Sequence, residues 1–286
     1  MSEQVNDDYP IKPLSDKQLK DLAAAKYETK VDDTTETYDF PTEIIQLPSK
    51  GKLYPKGHPL SSGTIEMKYM SAREEDILTN QSFIKQGVVL DKLFKTLIVT
   101  PVDYNDLLLC DKNAVMIAAR ILGYGKDYEI TATNPTTGED QKVIVDLTKL
   151  NESEIEWDLF VTGKNEFNFT LPASKHAITL QLLTQGQQRK IDAEIKSLAK
   201  LKRTATLTTT LKHVITSIDG NTDNTRIRKF IDAELLAIDS RAIRLFLKTI
   251  TPEVDLSVQI PDGESGDTFR SPVTIGLDFF WPDAEL

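Results

Sequence analysis

Leu107-Leu108-Leu109-Cys110-Asp111-Lys112-Asn113-Ala114-Val115 decides the reading of this chain, because its pattern is written twice. The pattern Leu-Leu-x-x-Asp-x-x-Ala-apolar returns at Leu235-Leu236-Ala237-Ile238-Asp239-Ser240-Arg241-Ala242-Ile243. The offset is 128 residues, Asp239 against Asp111, and it holds without a gap well beyond the motif. Asp127 falls on Asp255, Tyr128 on Leu256, Ile130 on Val258, Gly138 on Gly266, Val145 on Val273 and Leu147 on Ile275. Matches of apolar type, turn glycine and aspartate over such a span point to duplication of one supersecondary unit.

Each copy has a physical reading. Asp111 and Asp239 stand where an N-cap is expected, a carboxylate accepting from the free N–H groups of a first helical turn. Ala114, Ile117, Ala118 and Ile121 follow at helical spacing, as do Ala242, Leu245, Phe246 and Ile250. Alternation then takes over at Tyr128-x-Ile130 and Leu256-x-Val258. A turn rich in Asn, Pro, Gly and Asp leads to the returning runs Val143-x-Val145-x-Leu147 and Val273-x-Ile275. The expected fold class is α+β: mixed helices and short antiparallel hairpins, with a duplicated helix-plus-β-hairpin unit. The two copies are expected to superpose.

The hairpin tips are the one place where a metal suggests itself. Asn134-Pro135-Thr136-Thr137-Gly138 has the outline of a Cys-Pro-x-Cys-Gly zinc knuckle with both cysteines missing, and Asp262-Gly263-Glu264-Ser265-Gly266 is its register partner. Zinc held by paired knuckles needs thiolates or imidazoles. Asn134, Thr137, Asp262 and Ser265 offer oxygens only, so metal-free turns are expected and no metal or cofactor is assigned.

Composition bounds the rest. With 286 residues, 40% hydrophobic, the chain can bury a real core. No run is long and apolar enough for a membrane span, and the acidic, polar start lacks the apolar core of a signal peptide. The net charge of −10 argues against nucleic acid or an anionic membrane as a partner. A single cysteine, Cys110, excludes an internal disulfide and suits a small buried apolar position.

Three segments are expected. Residues 1–39 form an acidic extended arm with one short helical candidate, Ser15-x-x-Gln18 followed by Leu19, Leu22 and Ala23; it reads either as a partner-docking helix or as a plain tail. Residues 40–150 form an N-terminal α+β half containing the first helix-hairpin unit, with strands at Ile44–Leu47 and Thr64–Met70. Ser71-Ala72-Arg73-Glu74 is a capping box, and Gly87 divides the helix that follows from another carrying Leu90, Leu93, Phe94 and Leu97. Residues 151–286 form a mostly helical C-terminal half with the second unit. There Ser174 is expected to open a helical region running to about Ile250, including a charged arm striped by Ile191, Ile195, Leu198 and Leu201. Asp219-Gly220-Asn221 is expected to end one of its helices.

Chemistry-bearing motifs are missing from the pattern. His58, His176 and His213 fall on different elements, and neither a phosphate-cradling glycine loop nor a nucleophile elbow is present. Lys50, Lys52 and Lys56 make a sparse basic cluster that reads as a solvated loop. No catalytic residue is assigned, and an enzyme is not expected.

The stretch Leu47-Pro48-Ser49-Lys50-Gly51-Lys52-Leu53-Tyr54-Pro55 with Glu74-Glu75-Asp76-Ile77-Leu78, the stretches Leu107–Ala114 and Arg120–Tyr128, and the ending Phe279-Phe280-Trp281-Pro282 together resemble one family. It is the T4-like bacteriophage base plate protein family, which includes a baseplate hub subunit and a hub-assembly protein of contractile tails. The resemblance spans roughly Leu47 to Pro282. Several members carry the Cys-Pro-x-Cys-Gly knuckle that Asn134–Gly138 lacks. The resemblance implies a structural component of a contractile phage tail baseplate, near the central hub, acting through protein–protein contacts. Its alternative is an assembly chaperone for the hub that leaves the finished particle. Implied partners are other tail and baseplate proteins, with copies of itself as a further candidate. The implied location is the virion, after assembly in the host cytoplasm.

Overall fold

Loops rich in Gly, Pro, Asn and Asp cut the chain into short elements, each too small to bury its apolar face alone. The computed structural model describes residues 40–261, 268–276 and 278–280. The arm, the tip Asp262–Gly266 of the second hairpin and Trp281-Pro282 lie outside the described residues.

The first half opens with β1 (Thr42–Gln46), antiparallel to β2 (Thr64–Lys68), with Ile45 opposite Ile65. The loop between them closes on itself where Gly51 (φ +71°) meets Gly63 (φ +80°). A Cβ on Gly51 would lie 2.5 Å from the Gly63 nitrogen, so only glycine fits. Helices α1 (Ala72–Leu78), α2 (Gln81–Gln86) and α3 (Val89–Leu97) follow. The expected box opens α1, the Ser71 N–H donating to Glu74 Oε2 at 3.0 Å, and Gly87 ends α2 in the left-handed conformation. After α3 the chain bridges back to β2 at Met67↔Ile98. A 3-10 turn, Tyr104–Asp106, then leads to α4 (Leu109–Tyr124) and the hairpin of β3 (Asp127–Thr133) and β4 (Asp140–Asp146).

The second half repeats this order. Strands β5 (Phe167–Thr170) and β6 (Ala177–Leu180) pair, and helices α5 (Gln185–Lys200) and α6 (Thr206–Val214) follow. Strand β7 (Ile215–Ile218) returns to β6, then come α7 (Asn224–Ala233), α8 (Ala237–Ile250), β8 (Ser257–Pro261) and β9 (Thr268–Pro272).

The helix-plus-hairpin duplication is observed, in register. α4 starts at Leu109 and α8 at Ala237, and the hairpins pair Ile130↔Val143 and Val258↔Ser271, each member displaced by the same 128 residues. The repeat is also larger than that unit. Each half begins with a hairpin whose first strand runs into a Leu-Pro turn with a buried leucine, Leu47-Pro48 and Leu171-Pro172. Each turn then holds a lysine at positive φ, Lys50 at 51° and Lys175 at 63°. Insertions between these landmarks break the constant offset, which conceals the longer repeat from a gapless comparison.

Three expectations are corrected. Ser174 opens no helix: the alternating, β-branched run Ala177-Ile178-Thr179-Leu180 makes β6, and the helix starts at Gln185 under a Thr184/Gln187 capping box. Asp219-Gly220-Asn221 turns the chain after strand β7 rather than ending a helix, with Asp219 at φ +50°. In α5 only Ile191 of the expected stripe is fully buried, and Leu201 is 67% exposed beyond the helix end. The helix packs on α6, as a striped helix packing on a neighbour should, and it also crosses to the first half, where Arg189 reaches Asp91 at 2.8 Å.

The core centres on α4, whose Val115 and Ala119 are fully buried. Phe280 closes on Phe94 with ring centroids 5.7 Å apart, and Phe279 on Tyr128 at 4.9 Å.

Candidate functional site

Asp111 and Asp239 are not N-caps. Leu108 and Leu236 hold the extended cap positions, and each aspartate is the third residue of its helix, fully buried. Their carboxylates reach away from their own backbone to a turn more than sixty residues earlier. Asp111 Oδ1 accepts from the Ser49 N–H at 2.9 Å, and Oδ2 accepts from the Ser49 hydroxyl and the Tyr54 phenol, both at 2.7 Å. The Tyr54 oxygen in turn accepts from the Leu108 N–H at 3.1 Å, satisfying a donor just ahead of the helix. In the second half Asp239 accepts from the N–H groups of Ala173 at 2.8 Å and Ser174 at 3.0 Å. The same device therefore ties the Leu-Pro turn of each half to its duplicated helix.

The two carboxylates titrate in opposite directions. Burial is the dominant influence on Asp111 and raises its pKa, against the pull of the Ser49 and Tyr54 donors. The Tyr54 phenol is also pushed up, by burial and by the neighbouring carboxylate. At Asp239 burial again acts upward, but the turn N–H groups outweigh it and the pKa is lowered. Next to Asp111, burial raises the Cys110 thiol well above its ordinary value, so it is a protonated small apolar group rather than a nucleophile.

The basic cluster is built into a junction of its own. Lys50 and Lys52 each stand 4.7 Å from the Trp157 ring centroid, and Lys50 also faces Glu152 at 3.5 Å. At the first hairpin tip Asn134 Oδ1 accepts from the N–H groups of Thr136 at 2.8 Å and Thr137 at 3.3 Å, a side-chain-closed turn. The three histidines stand near three different carboxylates, Asp106, Asp219 and Glu194. Among the described residues no group of three or more His, Cys, Asp or Glu side chains could hold a metal. No described helix is long and apolar enough to cross a membrane.

Two open grooves flank α4. One, of about 470 Å³, runs between the β1 end and α4, lined by Ile45, Pro48, Ile117, Ile121, Leu150 and Val254. The other, of about 560 Å³, lies where the opposite side of α4 faces the second half, at Cys110, Lys112, Met116, Leu183, Gln188 and Leu247. No protein-family model, curated protein or solved structure matches this chain.

Sequence reasoning missed Ser49 and Tyr54 as partners of Asp111. The signal was present: Leu-Pro followed within three residues by lysine occurs in both halves, at 47–50 and 171–175. As chemistry, a carboxylate saturated by buried donors holds geometry and offers no open coordination or proton-transfer position.

Proposed function

We propose that this chain is a structural component of a contractile phage tail baseplate, near the central hub, working through protein–protein contacts with other tail proteins. The observation that supports it is the meeting of the stretches carrying the family resemblance. Ser49 and Tyr54 from the first bind Asp111 from the second, while Phe279 and Phe280 from the last pack around α4, the helix that carries Asp111 in its first turn. These separate stretches meet in one structural unit, which supports reading the resemblance as one to a scaffold held together by these contacts. On this reading the aspartate junctions fix the angle between turn and helix in each half, and the surfaces they hold in place make the contacts.

The test is quantitative mass spectrometry of purified virions alongside tail-assembly intermediates. A fixed copy number per mature tail is the expected result. Presence in intermediates and absence from finished particles would replace this reading by the assembly chaperone.

A further inference from the structure

The two halves are joined by a small backbone bridge that the duplication writes twice and the chain uses once. In the first half the Leu109 N–H donates to the Leu183 carbonyl at 2.9 Å, and the Gln185 N–H donates to the Leu107 carbonyl at 2.8 Å. A helix entry, Leu107–Leu109, is thereby paired antiparallel with the cap of another helix, Leu183–Gln185, around the bridge Leu108↔Thr184. The duplication supplies a second copy of each side. The second entry is Leu235–Ala237, and its cap residue Leu236 (φ −73°, ψ 148°) repeats the backbone of Leu108 (φ −65°, ψ 144°). The second cap is Met70–Ala72, where Ser71 (φ −110°, ψ 170°) repeats the extended backbone of Thr184 (φ −92°, ψ 165°). Both caps close a box with the residue three positions on.

These second copies are not paired with each other. Among the described residues no backbone partner meets the Leu235 carbonyl or the Ala237 N–H, nor the Met70 carbonyl or the Ala72 N–H. The side chains follow suit. Leu108 and Cys110 are 2% and 4% exposed under the second half, whereas their counterparts Leu236 and Ile238 are 49% and 61% exposed. Leu236 at the helix entry and Ile238 in the first turn of α8 thus stand exposed where the first copy buries its counterparts.

We infer that Leu235–Arg244 of one chain receives Met70–Asp76 of a second copy, head to tail, reproducing between molecules the bridge that joins the halves within one. Charge favours that occupant. By helix register Glu75 of α1 takes the place of Gln188 in α5, and Arg241 and Arg244 of α8 take the places of Asn113 and Met116 in α4; Gln188, Asn113 and Met116 line one groove beside the existing bridge. An acidic helix start therefore meets a basic helix face, and the net charge of −10 makes such a basic patch a selective target. The two surfaces differ, so the association is heterologous and closes into a ring or continues as a filament according to the rotation between copies.

Sedimentation of the full chain over a concentration series tests this. The wild type is expected to self-associate, and Leu236→Asp with Ile238→Asp to weaken association about tenfold or more while melting like the wild type. A charge exchange separates this surface from any other. Glu75→Arg with Asp76→Arg, and Arg241→Glu with Arg244→Glu, should each associate poorly alone, and an equimolar mixture should regain association. A wild type that stays monomeric up to about 1 mM, the weak end of specific binding, overturns the inference. So does association that both double variants leave unchanged, or a mixture that fails to recover.

Discussion

Replacing Asp111 by alanine probes the junction between the Leu-Pro turn and the duplicated helix. The substitution removes the acceptor of three donors: the Ser49 N–H, the Ser49 hydroxyl and the Tyr54 phenol. A buried donor left unpaired costs about 1–3 kcal/mol. The Ser49 hydroxyl rotates about its Cβ–Oγ bond whereas the Ser49 N–H is fixed by the turn, so the N–H and the Tyr54 phenol carry most of the loss. Removing the carboxylate also recovers the burial cost that raises its pKa, which favours the lower part of the range. The expected destabilisation is about 3 kcal/mol, against the roughly 1 kcal/mol of a lost helix N-cap. Urea unfolding at constant m-value measures it, and a double-mutant cycle of Asp111→Asn with Tyr54→Phe should give a coupling of about 0.5–3 kcal/mol. A loss of 1 kcal/mol or less by the alanine variant (on the order of a simple cap), together with additive effects in the cycle, would refute the junction.

The remaining predictions follow from the same landmarks. Ser49→Ala removes a donor to a buried carboxylate and should cost about 1.5–3 kcal/mol in urea unfolding. Stability measured against pH should separate the two aspartates. Asp239, with its lowered pKa, contributes stability that is present above its unfolded value near about 4 and is lost as pH falls through the folded value, so Asp239→Asn should flatten the acid limb. Asp111, with its raised pKa, contributes stability that is complete below that unfolded value and is lost as pH rises through the folded one. Asp111→Asn should accordingly flatten the rise-side decline instead. Gly51→Ala should destabilise by more than about 1 kcal/mol in thermal melts, because positive φ and contact with the Gly63 backbone both exclude a methyl group.

The sequence carried the repeat because helix entry and hairpin are local: Leu-Leu-x-x-Asp and the alternating strands answer to neighbours within a few residues. Ser71 and Gly87 were legible for the same reason. Strands β6 and β7 were not, since each has only four residues and gains its strand character from pairing with a segment far along the chain. Asp111 was misjudged through its strongest local preference. An aspartate near a helix start favours capping, and only burial against Ser49 and Tyr54 reveals that its partners lie across a loop. The long insertion between Leu47 and β2, absent between Leu171 and β6, hid the first part of the repeat behind a broken offset.

The bridge between Leu108 and Thr184 also sets an order of events during synthesis. Those residues are 76 positions apart (184 less 108), and translation at about 5–20 residues per second separates their emergence by roughly 4–15 s. Throughout that interval the nascent chain carries Leu108 and Cys110 without the segment that buries them. The first half is thus complete in length before it is complete in surface, and during that time it offers the ribosome's surroundings the same kind of apolar helix entry that Leu236 and Ile238 display in the finished protein. A folding factor, or an identical nascent chain on the next ribosome, would find it there.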